Sequence, residues 1–354
     1  MIRMSSLKSN IGTGVIGFGY WGPKLARNFA NNPACNLVAV SDTSADRRQT
    51  AAELYPGVGV TSDYRQLISN PRVDAVAICT PVSSHFDLAL ACLRAGKHVI
   101  VEKPIANTTE QAARLIEEAD RRGLVLIVDH TFLYTGAVRK IRELIEQGVL
   151  GDLYYYDSVR VNLGLFQHDV NVLWDLAVHD LSIMDHLTSR VPCAVSAVGA
   201  NHIPGTTENI AYLTVFFEGN LIAHVGVNWL APVKVRRTLI GGSKKMIVYD
   251  DLEPSEKVKV YDNGVTLGRP ADRESAYRLR VGYRTGDMLA QNLDRTEALR
   301  NEVVNFVQCI HSGAKPISDG LAGLRVVRIL QAASQSLAQR GRPVDLDHVR
   351  SASA

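Results

Sequence analysis

The chain has 354 residues, of which 46% are hydrophobic and 21% charged, with a formal net charge of +3. That length favours two domains over one core, and the balance is that of an ordinary globular protein. The small charge, with no basic stripe interleaved with aromatics, argues against a nucleic-acid partner, while a few clustered arginines would still suffice for an anionic small molecule.

From Gly12 to about His130 short apolar runs alternate with amphipathic helices. Thr13 to Gly17, Asn36 to Asp42, Val58 to Thr61, Asp74 to Thr80, His98 to Glu102 and Leu124 to Asp129 read as buried strands. Pro23 to Asn31, Ala45 to Leu54, Ser84 to Ala95 and Thr109 to Arg122 read as helices, two of them followed by Gly96 and Gly123 where a C-terminal glycine is expected. Alternating units of this kind imply an α/β fold with a doubly wound parallel sheet, the Rossmann arrangement, over residues 1–130.

The pattern then changes. After a helix over Ala137 to Gln147, period-two alternation marks strands at Leu153 to Val161, Ala194 to Asn201, Asn209 to Phe217, Leu221 to Asn228, Val235 to Ile240, Lys245 to Tyr249 and Lys257 to Tyr261. Short turns such as Glu218-Gly219-Asn220 favour an open, mainly antiparallel sheet. One helical block, Val172 to Leu187, interrupts it, Gly264 to Asn292 reads as a long polar loop, and helices near Arg295 to Ser312 and Ala322 to Gln339 close the chain. Residues 131–354 are expected to form a second α/β domain.

No apolar run approaches the ~20 residues needed to span a bilayer. Met1 to Asn10 carries positive charge with no apolar stretch behind it, so it does not read as a secretory signal. Cys35, Cys79, Cys92, Cys193 and Cys309 are scattered, with no C-x-x-C and no Cys/His cluster. Reduced thiols, a cytoplasmic location and no metal site are the expectation; Cys79 reads as a small buried hydrophobe.

Gly17-Phe18-Gly19-Tyr20-Trp21-Gly22 follows a strand and precedes a helix, the setting that a dinucleotide fingerprint requires. Glycines there permit a tight turn and close approach of the pyrophosphate to the helix N-terminus, and Pro23 suits the first helical turn. Asp42 ends the second strand about 20 residues later, where a carboxylate accepts from adenosine ribose hydroxyls and repels a 2′-phosphate. NAD is therefore favoured over NADP; Arg47 and Arg48 lie close enough to accommodate a 2′-phosphate but read first as solvated helix residues. Thr80-Pro81 and His85 stand at the carboxyl edge of the sheet, where ligands bind, although His85 can equally be a capping residue.

Glu102-Lys103-Pro104 leaves the next strand at that same edge. A lysine there can hydrogen-bond a reacting oxygen and stabilise charge as hydride moves. Asp175 and His179 fall at i and i+4 of one helix, so a carboxylate can orient an imidazole that takes a hydroxyl proton. The alternative for that pair is an ion pair without chemistry. Asp180, Asp185 and His186 on the same helix read as structural.

With these motifs, Thr80-Pro81-x-x-x-His85, Gly148-x-x-Gly151 and Glu297-Ala298-Leu299, the chain resembles the glucose-fructose oxidoreductase / inositol dehydrogenase / rhizopine-catabolism (Gfo/Idh/MocA) family over nearly its whole length. The resemblance implies Lys103, Asp175 and His179 as the catalytic set, and dimers or tetramers formed through the C-terminal sheet. A departure lies at Asn171-Val172-Leu173-Trp174, where many members are glycine-rich. The stretches Asp129 to Tyr134, Arg160 to Gly164 and Trp174 to Leu176 are similar to members that oxidise C3 of a UDP-N-acetylhexosamine or its uronate. Such a substrate needs basic groups for its diphosphate, for which Arg160, Lys234, Arg236 and Arg237 are candidates, with Asn162 beside them. A nucleotide-sugar 3-dehydrogenase using NAD is the leading expectation. An inositol or free-sugar dehydrogenase, and a dinucleotide-binding regulator without turnover, are the alternatives.

Overall fold

A computed structural model of the chain describes residues 10–164, 170–267 and 281–346. Two compact units are formed, one from residues 1–135 with 296–331 and the other from residues 136–295 with 332–354. The expected division at 130/131 omitted the return of 296–331 to the first unit.

The first unit is a six-stranded parallel sheet, order β3-β2-β1-β4-β5-β6. Its strands are β1 (Ile11–Ile16), β2 (Cys35–Ser41), β3 (Gly59–Thr61), β4 (Ala75–Ile78), β5 (His98–Glu102) and β6 (Leu126–Asp129). Strands β1, β4 and β6 are buried at every position, as expected for a sheet covered on both faces. The crossover helices are α1 (Gly22–Ala30), α2 (Ala45–Leu54), a short α3 (Tyr64–Ser69) absent from the sequence expectation, α4 (His85–Arg94) and α5 (Thr109–Arg122). Thr108 caps α5 by accepting from the Gln111 N–H, and Gly123 ends it in the left-handed region at φ +65°. Helix α8 (Ala298–Ser312) joins this unit because Leu299, Val303 and Phe306 share a core with Leu25 and Phe29 of α1. Strand order reverses between β1 and β4, so the turns after these strands flank the switch point where α/β sheets bind ligands.

In the second unit α6 (Gly136–Glu146) precedes β7 (Leu153–Leu163), and α7 (Val178–Thr188) follows a π-helical turn at Leu173–Ala177. Then come β8 (Pro192–Ala200), β9 (Ile210–Phe217), β10 (Ile222–Asn228), β11 (Leu230–Gly242), β12 (Met246–Asp250) and β13 (Val258–Tyr261). With β16 (Met288–Ala290) and β17 (Val344–Asp345) they make a nine-stranded sheet, order β16-β13-β12-β11-β7-β10-β9-β8-β17. Its pairs are antiparallel except β7 with β10. Helix α9 (Gly320–Ala338) runs from the residues of the first unit into those of the second.

The stretch from Gly264 to Asn292 departs from the expected loop. Gly264–Leu267 (β14) and Val281–Arg284 (β15) form a two-stranded ladder, and β16 extends the main sheet by pairing with β13. The intervening part of that expectation lies outside the described residues.

Candidate active site

At the end of β1 the chain turns at Gly17, whose φ is +89°, and a Cβ there would lie 2.6 Å from the Cys79 carbonyl oxygen. A Cβ on Gly22 would lie 2.1 Å from the carbonyl oxygen of Gly17, so the first turn of α1 closes on the loop only with glycine at both ends. Pro23 occupies the first turn of α1, and the Trp21 side chain does not cap it. Tyr20 is exposed, and the Lys24 ammonium sits 3.5 Å from its ring centre and 4.0 Å from that of Trp21.

Asp42 is buried at the end of β2, where its Oδ2 accepts from the Phe18 N–H at 2.6 Å and Oδ1 from the Ser44 N–H at 2.8 Å. The carboxylate thus ties the glycine turn to the start of α2. Arg47 is exposed on α2, as expected of a solvated helix residue, but it also reaches back toward β2. Its guanidinium lies 3.7 Å from Asp42 Oδ2, alongside Gly19, and Arg48 donates to the Asp42 and Thr43 carbonyls at 2.9 Å. Gly17, Asp42, Arg47, Tyr64, Thr80 and Pro81 border a cavity of about 290 Å³. The backbone cradle at Gly17 and Gly22 and the carboxylate beside it suit the pyrophosphate and ribose of a dinucleotide.

His85 is 1% exposed, with Nδ1 2.8 Å from the Pro104 carbonyl oxygen and Nε2 2.8 Å from that of Thr80. It links the exit of β4 to the exit of β5, a buried internal role that neither the ligand-lining nor the capping expectation described. Lys103 is half-buried at the end of β5, precedes a cis peptide to Pro104, and donates its backbone N–H to Glu102 Oε2 at 3.2 Å.

Behind Lys103, Glu102, expected at the cofactor, is instead buried in a cluster of carboxyls that the sequence reading did not bring together. Glu102 pairs in register with Asp129 of β6, and buried Glu302 of α8 is within hydrogen-bonding reach of Asp129. Burial, then the Asp129 charge, pushes the Glu102 and Glu302 carboxyls well above the usual range. Burial, then the nearby Lys103 charge, pushes the His130 imidazole down to about 3. Burial likewise holds the Cys79 thiol well above its ordinary value, as expected of an inert cysteine.

In the second unit Asp175 lies within the π-helical turn, and His179 is the second residue of α7. The pair therefore spans a widened turn rather than a plain α-helix, a distortion common at functional sites. Asn171 Oδ1 accepts from the N–H groups of Leu173 and Trp174 at 3.2 and 3.3 Å, which starts the turn. The indole of Trp229, fully buried after β10, donates to Asp175 Oδ2 at 3.1 Å.

The basic candidates separate. Arg160 is 3% exposed, and its Nε and Nη2 donate to the Asp180 carboxylate at 2.6 and 3.2 Å. This is an internal ion pair, supported by Ser158 Oγ donating to Asp180 at 2.7 Å, in place of the expected diphosphate ligand. Arg236 is half-buried against Asp251 at 3.3 Å. Lys234 and Arg237 are exposed on β11, and Asn162 is half-buried near the end of β7. Among the described residues, no three His, Cys, Asp or Glu side chains are arranged to hold a metal ion, and no helix is long and apolar enough to cross a membrane.

Residues 11–130 match the family described as "Oxidoreductase family, NAD-binding Rossmann fold", and residues 138–248 match the "GFO/IDH/MocA C-terminal domain". The chain belongs to the GFO/IDH/MocA oxidoreductase family. It is 30% identical to an uncharacterized oxidoreductase, YdgJ, of Escherichia coli over 71% of this chain and 74% of that one. It is 29% identical to the UDP-N-acetylglucosamine 3-dehydrogenase of Acidithiobacillus ferrooxidans over 89% and 93% of the two chains. A solved structure of that dehydrogenase superposes with a TM-score of 0.78 at 26% identity, covering 94% of this chain and 99% of the other. A myo-inositol 2-dehydrogenase of Thermotoga maritima is 26% identical over 95% and 98%. The chain is thus an oxidoreductase with a nicotinamide-dinucleotide-binding domain and sugar-dehydrogenase relatives.

Proposed function

We propose that this GFO/IDH/MocA protein is an NAD-dependent dehydrogenase that oxidises a secondary hydroxyl of a sugar, C3 of a UDP-N-acetylhexosamine or its uronate. The observation that carries the chemical part is the Trp229–Asp175 hydrogen bond, which holds this carboxylate in the π turn that leads into His179. His179 takes the hydroxyl proton, with Asp175 orienting it, while Lys103 hydrogen-bonds the same oxygen as the carbonyl forms. A bound nicotinamide supplies the hydride acceptor. Gly17, Phe18, Gly19, Tyr20, Trp21 and Gly22 hold the pyrophosphate, and Asp42 favours NAD through the ribose hydroxyls.

The substrate part is supported by the relative that acts on UDP-N-acetylglucosamine along most of the chain. One observation favours the inositol or free-sugar reading instead. Arg160 is committed to Asp180 and Arg236 to Asp251, so Lys234 and Arg237 remain as the exposed basic candidates for a diphosphate.

Association through the C-terminal sheet is part of the proposal. Val198, Tyr212 and Val159 lie in register across β8, β9, β10 and β7, on a face where they are 48%, 51% and 39% exposed. A homodimer or homotetramer covers that face, and the protein works in the cytoplasm.

The test is the rise in NADH absorbance with NAD and either UDP-N-acetylglucosamine or myo-inositol. A response to the nucleotide sugar alone supports the first reading, and a response to inositol alone moves the enzyme to the polyol substrates. No response to either, even with 2-oxoglutarate added to recycle bound cofactor, excludes these two substrates and favours a dinucleotide-binding regulator without turnover.

A further inference from the structure

Glu102, Asp129 and Glu302 are 5%, 2% and 0% exposed, and they come from β5, β6 and α8. Asp129 Oδ1 accepts from the Thr131 hydroxyl at 2.5 Å and Glu102 Oε2 from the Lys103 N–H at 3.2 Å. The remaining oxygens, Glu102 Oε1, Asp129 Oδ2 and both of Glu302, are buried without a donor among the described residues. What they face is one another, Glu102 against Asp129 and Asp129 against Glu302. Ionised carboxylates only accept, so each of these two contacts requires a proton between its oxygens.

The other titratable groups facing the cluster supply no buried cation to replace those protons. Cys79 beyond β4 and Tyr134 beyond β6 are pushed toward their neutral forms by burial, and His130 is held neutral by burial and by Lys103. Lys103 is the one cation among these neighbours, and its charge acts on Glu102 more weakly than burial does.

We infer that Glu102, Asp129 and Glu302 form a proton-sharing carboxyl chain that holds the Lys103 turn in place, with Glu302 as a positioning residue at its far end. The chain runs from helix α8 through Asp129 to the carboxyl that grips the Lys103 backbone N–H. Leaving any link without its proton places two buried acceptors in contact, a cost that rigidly selects the protonated arrangement. The catalytic meaning rests on the reading of Lys103 given above, but the arrangement itself does not.

The experiment compares the full chain with Glu302→Gln and Glu302→Leu. Infrared absorption of protonated carboxyl groups in D2O counts the shared protons, and the NMR signal of 13C-dimethylated Lys103, assigned by its loss in Lys103→Arg, reports the turn. Gln offers an N–H to Asp129 in place of the proton, so the Lys103 signal stays at its wild-type position while the protonated-carboxyl band falls by about half. Leu offers no donor, and the Lys103 signal shifts. No protonated-carboxyl band in the folded wild type at neutral pH overturns the inference, and that measurement does not depend on either variant folding. A Lys103 signal unmoved in Glu302→Leu overturns the positioning role. Lys103→Ala assayed in parallel separates the two ideas, since full turnover in that variant sinks the role of Lys103 and leaves the proton count standing.

Discussion

The indole N–H of Trp229 donates to Asp175 Oδ2 at 3.1 Å, so the carboxylate assigned to orient His179 is itself held by a fully buried side chain. Trp229 also packs against Gly164, where an added Cβ would meet its ring at 2.4 Å. Replacing Trp229 with Phe keeps most of the packing and removes the donor. A fall in kcat of roughly tenfold, about 1.4 kcal/mol, is expected from the loss of one orienting hydrogen bond. Steady-state kinetics with thermal melting as a control checks it, and an unchanged kcat in a folded variant removes Trp229 from the site.

Lys103→Ala tests the lysine directly. Removal of a group that hydrogen-bonds the reacting oxygen lowers kcat by roughly 10²–10⁴. The glycine turn and Asp42 are untouched by the change, so NADH affinity measured by fluorescence titration stays within about threefold of wild type. Loss of NADH binding together with kcat would instead give Lys103 a structural role.

On the proposed cofactor placement, Asp42 and Arg47 set opposite preferences at the ribose. The Asp42 carboxylate lies 3.7 Å from the exposed Arg47 guanidinium and, in the proposed placement, competes with a 2′-phosphate for that arginine. In Asp42→Ser the repulsion is gone and Arg47 is released, so the ratio of kcat/KM for NADP over NAD rises by about tenfold or more. A ratio that does not move would mean that neither side chain reads the 2′ position.

Much of the fold was legible because βα alternation and period-two strands are local patterns, as in the all-buried β1 and β4. The glycine turn and Asp42 were legible for the same reason, since strand, turn and helix follow one another along the chain. Arg160 misled because charge on a strand ordinarily marks the solvent face. In β7 Tyr156, Ser158 and Arg160 occupy the buried face while Val159 is exposed, a reversal made possible by Asp180. Trp229 and Glu302 reach their partners only through tertiary packing, so nothing in their neighbours points to Asp175 or Asp129. Strand ends did carry one unread signal, the pairing of Glu102 with Asp129.

Arg160 and Asp180 can be separated from substrate recognition by stability. Breaking a buried ion pair by removing one partner costs about 3–5 kcal/mol, because the other charge is left uncompensated. Arg160→Met is therefore expected to lower the denaturation midpoint strongly, and KM for the sugar is expected to stay within about twofold in whatever fraction remains folded. A variant with wild-type stability and a raised KM would return Arg160 to the diphosphate site.

The carboxyl chain makes a prediction about pH in which the sign matters. A carboxyl whose folded value is raised contributes stability below its unfolded value and loses it as pH climbs through the folded value. Glu302 is of this kind, so its contribution fades above the ordinary carboxyl value of 4.5. His130 works in the other direction. Lowered from 6.5 to about 3, it contributes stability above 6.5 that is lost as pH falls toward 3. Glu302→Gln removes only the first of these. Relative to wild type, the variant should gain about 1.4 kcal/mol per pH unit, one proton's worth, from near pH 4.5 upward until the folded value of Glu302 is passed. On the acid side, where His130 dominates, the two proteins should lose stability together. Urea denaturation of both proteins across this range measures the difference. Parallel curves above pH 4.5 would mean that Glu302 holds no proton in the folded chain, and the link from α8 to Lys103 would fail with it.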